Sequence, residues 1–170
     1  MSAAPITPAA ARRLRCALSE ADVVERYRAK TARVDGHSCL FWIGAVSGRG
    51  HGRLWVGTDE DGRNVAVIAH RFGYGLAHGW DALAGAPVVT HACDNPLCQE
   101  PGHWRAGTHT DNRLEWAWRR HQLAGPLRDL RGARGRALAV RDAVRDGRPL
   151  DDVLTAGTSE GDRDQLPLWC

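Results

Sequence analysis

The sequence predicts a small α+β protein, on three observations. Two short β-rich runs flank an Asp61-Gly62 pair, a strong hairpin signal. Segments with helical apolar spacing and capping residues lie before and after that hairpin. Between them sits a compact loop rich in Cys, His and Pro. The chain has 170 residues, 43% hydrophobic and 25% charged, with a mean hydropathy of -0.40, which suits a globular domain with a small appendage. No run approaches the roughly 18 apolar residues of a membrane span. Met1 to Arg15 is Ala/Pro-rich with Arg12, Arg13 and Arg15 at its end, and it has no apolar stretch after those charges, so a secretory signal is not expected and a cytoplasmic location is.

In chain order, residues 1–18 read as a frayed or loosely helical tail. Ser19 then caps a helical pattern to about Val34, with Asp22 three residues on; Val23, Val24, Tyr27 and Ala32 form its apolar face and Asp35-Gly36 ends it. From Cys39 the run CLFWIGA is short, aromatic and extended, and SGRGHG is a Gly-rich turn. Antiparallel strands are expected near 52–57 and 64–69. A short helix opens at His70 and stops at Gly79, WDALAGA reads as a connector, and Pro87 to Thr90 reads as a strand delivering His91. The span from Ala92 to Gly107 reads as a compact loop. Thr108 to about His121 reads as a helix capped by Thr108 with Asp111 three residues later. Two further helices are expected, one ending at Gly147 and one from Pro149 to Ala156, before a polar, acidic, mobile end. These elements group as an N-terminal tail and helix (1–36), a central domain (37–124) and an Arg-rich helical extension with an acidic tail (125–170).

Charge is unevenly placed. Lys30 is the sole lysine, so nearly all of the 23 basic residues are Arg, the planar, bidentate phosphate binder. From Arg113 to Arg141 eight arginines face only Glu115 and Asp129. Such a stripe is the electrostatic footprint of a nucleic-acid binder, or else a solvated helix face.

Five cysteines, an odd number, with no export signal favour reduced thiols over disulfides. Clustered Cys and His then read first as metal ligands. Cys93, Cys98 and His103 follow one another at five-residue intervals, with Pro96 and Pro101 stiffening the loop. Two thiolates and an imidazole suit tetrahedral zinc, and a structural site closes with four ligands. The candidate fourth is Cys39, which the hairpin can bring close; Cys16 and Cys170 lie in tails. Two buried free cysteines would be the alternative, but Asp94, Asn95 and Gln99 make a polar setting for them. His91 is left over at a strand end, where a neutral imidazole could accept a proton from water. Asn112, in the first turn of the next helix, could hold a hard cation such as Mg²⁺.

The run H-x-C-D-N-P-x-C-x-x-P-x-H from His91, followed by G-T-x-x-D-N, resembles HNH-type nucleases of the ββα-metal (His-Me finger) superfamily, and among them the zinc-containing His-Cys box homing endonucleases and phage-type relatives. Cys39 to Gly44 resembles their C-W-x-W-x-G segment, Gly50 to Arg53 their G-Y-G-R turn, and Ala69-His70-Arg71 their A-H-R. The resemblance covers residues 38–120. It implies a ββα-metal core with a zinc-stabilised loop, an antiparallel hairpin and flanking N- and C-terminal helices. It implies His91 as general base, Asn112 as ligand of a catalytic Mg²⁺ that Mn²⁺ can replace, and Cys39, Cys93, Cys98 and His103 as a structural zinc site. Arg53 would contact the scissile phosphate, and Arg53, Arg71, Arg113 and Arg120 would bind DNA; His70 would take a structural hydrogen bond. The implied activity is a metal-dependent DNA endonuclease or nickase on double-stranded DNA, with a homodimer allowed.

The sequence departs from that pattern at Thr90, where many such proteins carry an acidic metal ligand, and at His51, Trp104 and Gln99-Glu100. Thr90 keeps open a zinc-stabilised DNA-binding module without catalysis. A protein-interaction domain using Trp116 and Trp118 ranks behind both, since tryptophans at helical spacing belong more often to a core.

Overall fold

The computed structural model describes residues 6–123 and 125–164. The chain is mixed α+β, with three separate two-stranded antiparallel sheets among the described residues. Of the two forms expected for its N-terminal part, frayed or loosely helical, the structure shows the helical one from Pro8. Helix α1 (Pro8–Ala17) has Thr7 as N-cap, whose side chain accepts from the Ala10 N–H, and a proline in its first turn. Leu14 and Ala17 are buried, and an ion pair from Arg13 to Glu20 braces its far end. Residues 1–5, the rest of the expected tail, lie outside the described residues.

Helix α2 (Ala21–Arg28) is shorter than the pattern predicts. Ser19 does not cap it; its hydroxyl donates back to the Cys16 carbonyl at 2.9 Å. Residues 31–33 leave the helix because they pair as β1 (Thr31–Arg33) with β2 (Leu40–Trp42), so tertiary pairing overrides the helical spacing. Strands β3 (Arg53–Thr58) and β4 (Asn64–Ile68) form the expected hairpin, with a register shift between Trp55 and Gly57. Helix α3 (Ala69–His78) stops at Gly79, which adopts φ 86°, a conformation that favours glycine. The expected connector after it is a helical turn, α4 (Trp80–Ala84), with Leu83 buried.

The loop expected between Ala92 and Gly107 ends in a strand. β5 (Val88–His91) pairs with β6 (Trp104–Gly107), placing His91 opposite Trp104, and α5 (His109–Arg119) follows at once. Thr108 and Asp111 make the predicted capping box: the Asp111 N–H donates to Thr108 Oγ1 at 3.1 Å and the Thr108 N–H to Asp111 Oδ2 at 2.8 Å.

One buried apolar cluster draws on the N-terminal helices, the first two sheets, α3, α4 and the C-terminal region, while Ala86, Val89 and Trp104 form a second, smaller one. Trp42, Leu54, Val56, Phe72, Leu83 and Leu97 form the centre of the first. Tyr27 stacks between Trp42 and Phe72, at centroid distances of 5.8 and 5.3 Å. Its hydroxyl donates to buried Gln99 Oε1 at 3.0 Å, and Gln99 Nε2 donates to the Leu97 carbonyl at 3.1 Å, so the deepest polar side chain is satisfied. A Cβ at Gly52 would lie 2.6 Å from the Trp42 ring, so only glycine lets the turn before β3 cross that indole.

Helices α6 (Gly132–Asp146) and α7 (Leu150–Thr155) add Ala137, Val140, Ala143, Leu150 and Val153 to this cluster, α6 packing on β2. Asp129 fixes this region. Burial would raise its carboxyl, but hydrogen bonds from Arg131 and Arg136 hold it down to about 2. The expected mobile acidic end is helical in part: α8 (Glu160–Asp164) buries Asp162, which accepts from Arg128 Nε at 2.7 Å. Gln165 to Cys170 lie outside the described residues.

Candidate metal centre and histidine cleft

Backbone pairing brings the four predicted ligands together. β2 uses one edge for β1 and the other for the β5–β6 loop. The Trp42 N–H donates to the Leu97 carbonyl at 2.8 Å and the Gln99 N–H to the Leu40 carbonyl at 2.6 Å, with Phe41 bridged to Cys98. Cys39, one residue before β2, is thereby set beside Cys98. Cys93 and Cys98 lie in the loop, and His103 ends a 3₁₀ turn, Pro101–His103, just before β6. The Ala92 N–H donates to the His103 carbonyl at 2.8 Å and closes the loop at its base.

The donor atoms of Cys39, Cys93, Cys98 and His103 lie within 4.8 Å of one another, an arrangement that can hold a metal ion. His103 Nδ1 stands 3.7 Å from Cys39 Sγ and 3.3 Å from Cys98 Sγ. Hydrogen bonds with Cys39 and Cys98 hold the Cys93 thiol far below the usual range, while contact with Cys93 pushes Cys39 up to about 11 and contacts with Cys39 and Cys93 push Cys98 up. The cluster therefore already favours one thiolate, the form that binds metal. Cys16 is exposed on α1, apart from this group.

Beside the cluster stand three histidines in a row. His91 faces inward and Ala92 outward, as strand alternation requires. His91 Nε2 lies 3.0 Å from the Cys98 carbonyl, which also accepts from Trp104 Nε1 at 3.2 Å. A carbonyl only accepts, so Nε2 carries the proton and Nδ1 keeps its lone pair. His70 repeats the arrangement, with Nε2 3.1 Å from the Val89 carbonyl and a buried Nδ1 with no partner. This is the structural hydrogen bond expected of His70. The ring centroids of His70 and His91 are 4.3 Å apart, and those of His51 and His70 are 5.4 Å apart. Burial lowers all three, His51 to about 4, so each imidazole is neutral at pH 7.

These rings line an open cleft of about 1000 Å³, whose far wall is α5. His109, Asn112, Arg113, Trp116 and Arg119 face it from that helix, and Arg49, Arg71 and Arg136 from elsewhere. Asn112 and His91 thus share one cavity. α5 buries none of its residues; an ion pair from Arg119 to Asp94 ties it to the Cys/His loop. Asp94 lines the cleft and adopts φ 55°.

The predicted arginines divide. Arg113 lines the cleft and is exposed. Arg71 also lines it, but its guanidinium is engaged with the Ala86 and Pro87 carbonyls at 3.1 and 3.3 Å, and burial lowers it. Arg120 lies over the Trp116 ring. Arg53 opens β3, exposed and outside the set that lines the cleft. Arg136, beside Arg134 and Arg141, reads from the sequence only as a phosphate contact of the C-terminal extension; Arg119 carries no local signal, and Asp94 carries one in the D-N-P turn between two ligands. Trp116 and Trp118 are not core: they are 52% and 67% exposed.

Fold and site together define an α+β protein organised around a Cys₃His cluster able to hold a metal ion. The chain belongs to the family of protein 7.7 of Escherichia phage T7, to which it is 30% identical over 121 residues, covering 71% of this chain and 87% of that protein. Protein 2.8 of the same phage is 31% identical over 86 residues; the match takes in 49% of this chain and about half, 52%, of that relative's length. No family model and no solved structure matches the chain.

Proposed function

We propose that the protein is a metal-dependent DNA endonuclease or nickase of the ββα-metal type, with β5, β6 and α5 as its ββα unit. The observation that carries this reading is the Cys98 carbonyl, which holds the protonated Nε2 of His91 and leaves an unprotonated Nδ1 in the cleft that Asn112 lines. A neutral imidazole with a free lone pair can take a proton from an attacking water. Asn112 would hold the divalent cation, Mg²⁺ or Mn²⁺, which supplies Lewis-acid stabilisation of the phosphate when bound. Arg113 supplies positive charge to orient a phosphodiester in the cleft. The peptide dipole at the α5 N-terminus favours an anion on the same side.

Zinc suits the Cys₃His cluster. A nitrogen about 2.0 Å and a sulfur about 2.3 Å from a tetrahedral centre stand about 3.5 Å apart, and the two His103 Nδ1 to sulfur distances, 3.7 and 3.3 Å, bracket that. Its role here is structural: it fixes the Cys98 carbonyl and therefore the tautomer and tilt of His91.

The test is nicking of supercoiled double-stranded plasmid with Mg²⁺ or Mn²⁺. His91→Ala is expected to abolish nicking while leaving the fold and DNA binding intact. Normal cleavage by His91→Ala would overturn the base assignment. A second reading, a DNA-binding module without catalysis, is favoured by Thr90: its hydroxyl is engaged with the Arg105 carbonyl at 3.4 Å, where an acid would give a second cation ligand. That reading expects salt-dependent DNA binding and no nicking with any divalent ion.

A further inference from the structure

The geometry points to Trp116 as a stacking platform for an unstacked nucleobase, so that the cleft takes DNA whose strand is unpaired or opened beside the phosphate to be cut. This inference rests on the nuclease reading. Leu114, Trp116 and Trp118 follow at every second position of α5, and a helix turns about 200° over two residues. Trp116 therefore faces one way, into the cleft, while Leu114 and Trp118 face the other.

Trp116 stands four residues, just over one turn, from Asn112 on the same face, about 6 Å along the axis. With one phosphate per roughly 3.4 Å of strand, that is one to two nucleotides from a phosphate at Asn112. The indole is 52% exposed although it forms part of a cavity wall. The Arg120 guanidinium lies over its ring, 5.5 Å from the centroid. The charged part of the lining is mainly cationic: Arg49, Arg71 and Arg113 face the cleft, Arg136 does so while paired with the buried Asp129, and Asp94, the one carboxylate among the described lining residues, is paired with Arg119. An exposed aromatic ring among arginines fits a ligand that carries both phosphates and flat rings. A second copy of this chain would bring the same positive charge against it. An acidic peptide would meet the arginines and leave the indole without a stacking partner. Inside a duplex the bases stack on one another, so the indole can take a base onto its face only where the strand is opened.

Stacking on an aromatic side chain tolerates any base and changes affinity by roughly 5- to 150-fold per base. The test measures fluorescence anisotropy of the full chain with three labelled probes: a single-stranded oligonucleotide, the same sequence as a blunt duplex, and a duplex with an internal bubble. No catalytic cation and no chelator are added. Trp116→Ala is expected to lose at least fivefold in affinity for the single strand and the bubble, and less than twofold for the duplex. Trp116→Phe should stay within about threefold on all three, and Trp118→Ala, on the opposite face, should match the parent chain. Unchanged single-strand affinity in Trp116→Ala, an equal loss on all three probes, or a change in sedimentation in place of a change in affinity would each overturn the proposal. Should His91→Ala still nick plasmid, the hydrolysis reading fails and the stacking result stands. Should Trp116→Ala bind like the parent chain while His91→Ala is inactive, only the stacking inference fails.

Discussion

The two walls of the cleft are built on different principles. The wall that carries His91 is knitted from buried parts: β5 and β6, the four-donor cluster, and the Cys98 carbonyl that receives both His91 and Trp104. The wall that carries Asn112 is a helix with no buried residue, held by its cap and by the Asp94–Arg119 pair. The group proposed to move a proton is thus fixed in orientation, and the group proposed to hold a cation sits on a helix that can adjust. Tautomer and tilt must be set before substrate arrives, whereas a cation between protein and phosphate completes its shell only when both are present.

The largest expected effect comes from dismantling the first wall. Chelation, or Cys93→Ser, should unfold the chain, because a structural metal contributes on the order of 10 kcal/mol, comparable to the whole stability of a domain. Circular dichroism melting with and without chelator checks this; a chelated chain that melts at the original temperature would show that the cluster holds no stabilising ion. The next effect is acid sensitivity of the same wall. His51, half-buried, and His70, buried, are neutral, with their titration lowered by desolvation, so the unfolded chain binds more protons than the folded one below about pH 6.5. Their contribution is intact above that value and is lost as pH falls toward and below 4, by about 3 kcal/mol for His51 alone at pH 4. Denaturant melts between pH 7 and 4 should show this slope, and His51→Gln should flatten it.

The first wall was also the more legible one. Ligand chemistry is written in residue identity, and prolines between the ligands marked the loop, so Cys93, Cys98 and His103 could be read together and Cys39 added. β6 could not be read. Trp-Arg-Ala-Gly has two exposed residues in the middle, and its extended form comes from its partner β5. α1 read only as a frayed or loosely helical tail because its buried face is made of Ala9, Leu14 and Ala17, too small and sparse to show as a period. On the second wall the cap was plain in Thr108 and Asp111. The exposure of Leu114, Trp116 and Trp118 was implicit in their spacing of two, which no single helix face can bury. Arg136 enters the cleft from the C-terminal extension, and only the packing of α6 on β2 places it there.

The smallest effects should fall on the second wall and stay local. Asp94→Asn removes the charge that meets Arg119 and keeps a residue that tolerates φ 55°. Both side chains of the pair are less than a quarter exposed, at 24% and 21%, so the loss should be about 1–2 kcal/mol, between that of a surface pair and a buried one. Thr108→Ala removes the other tether, the N-cap, at about 1 kcal/mol. If the helix is held mainly at these two points, amide exchange over residues 112–119 should quicken in each variant and more in the double variant, while exchange in β5 and β6 stays unchanged. Should Asp94→Asn instead loosen the Cys/His loop and quicken exchange in β5, the pair braces both walls, and His91 owes its orientation to α5 as much as to the cluster.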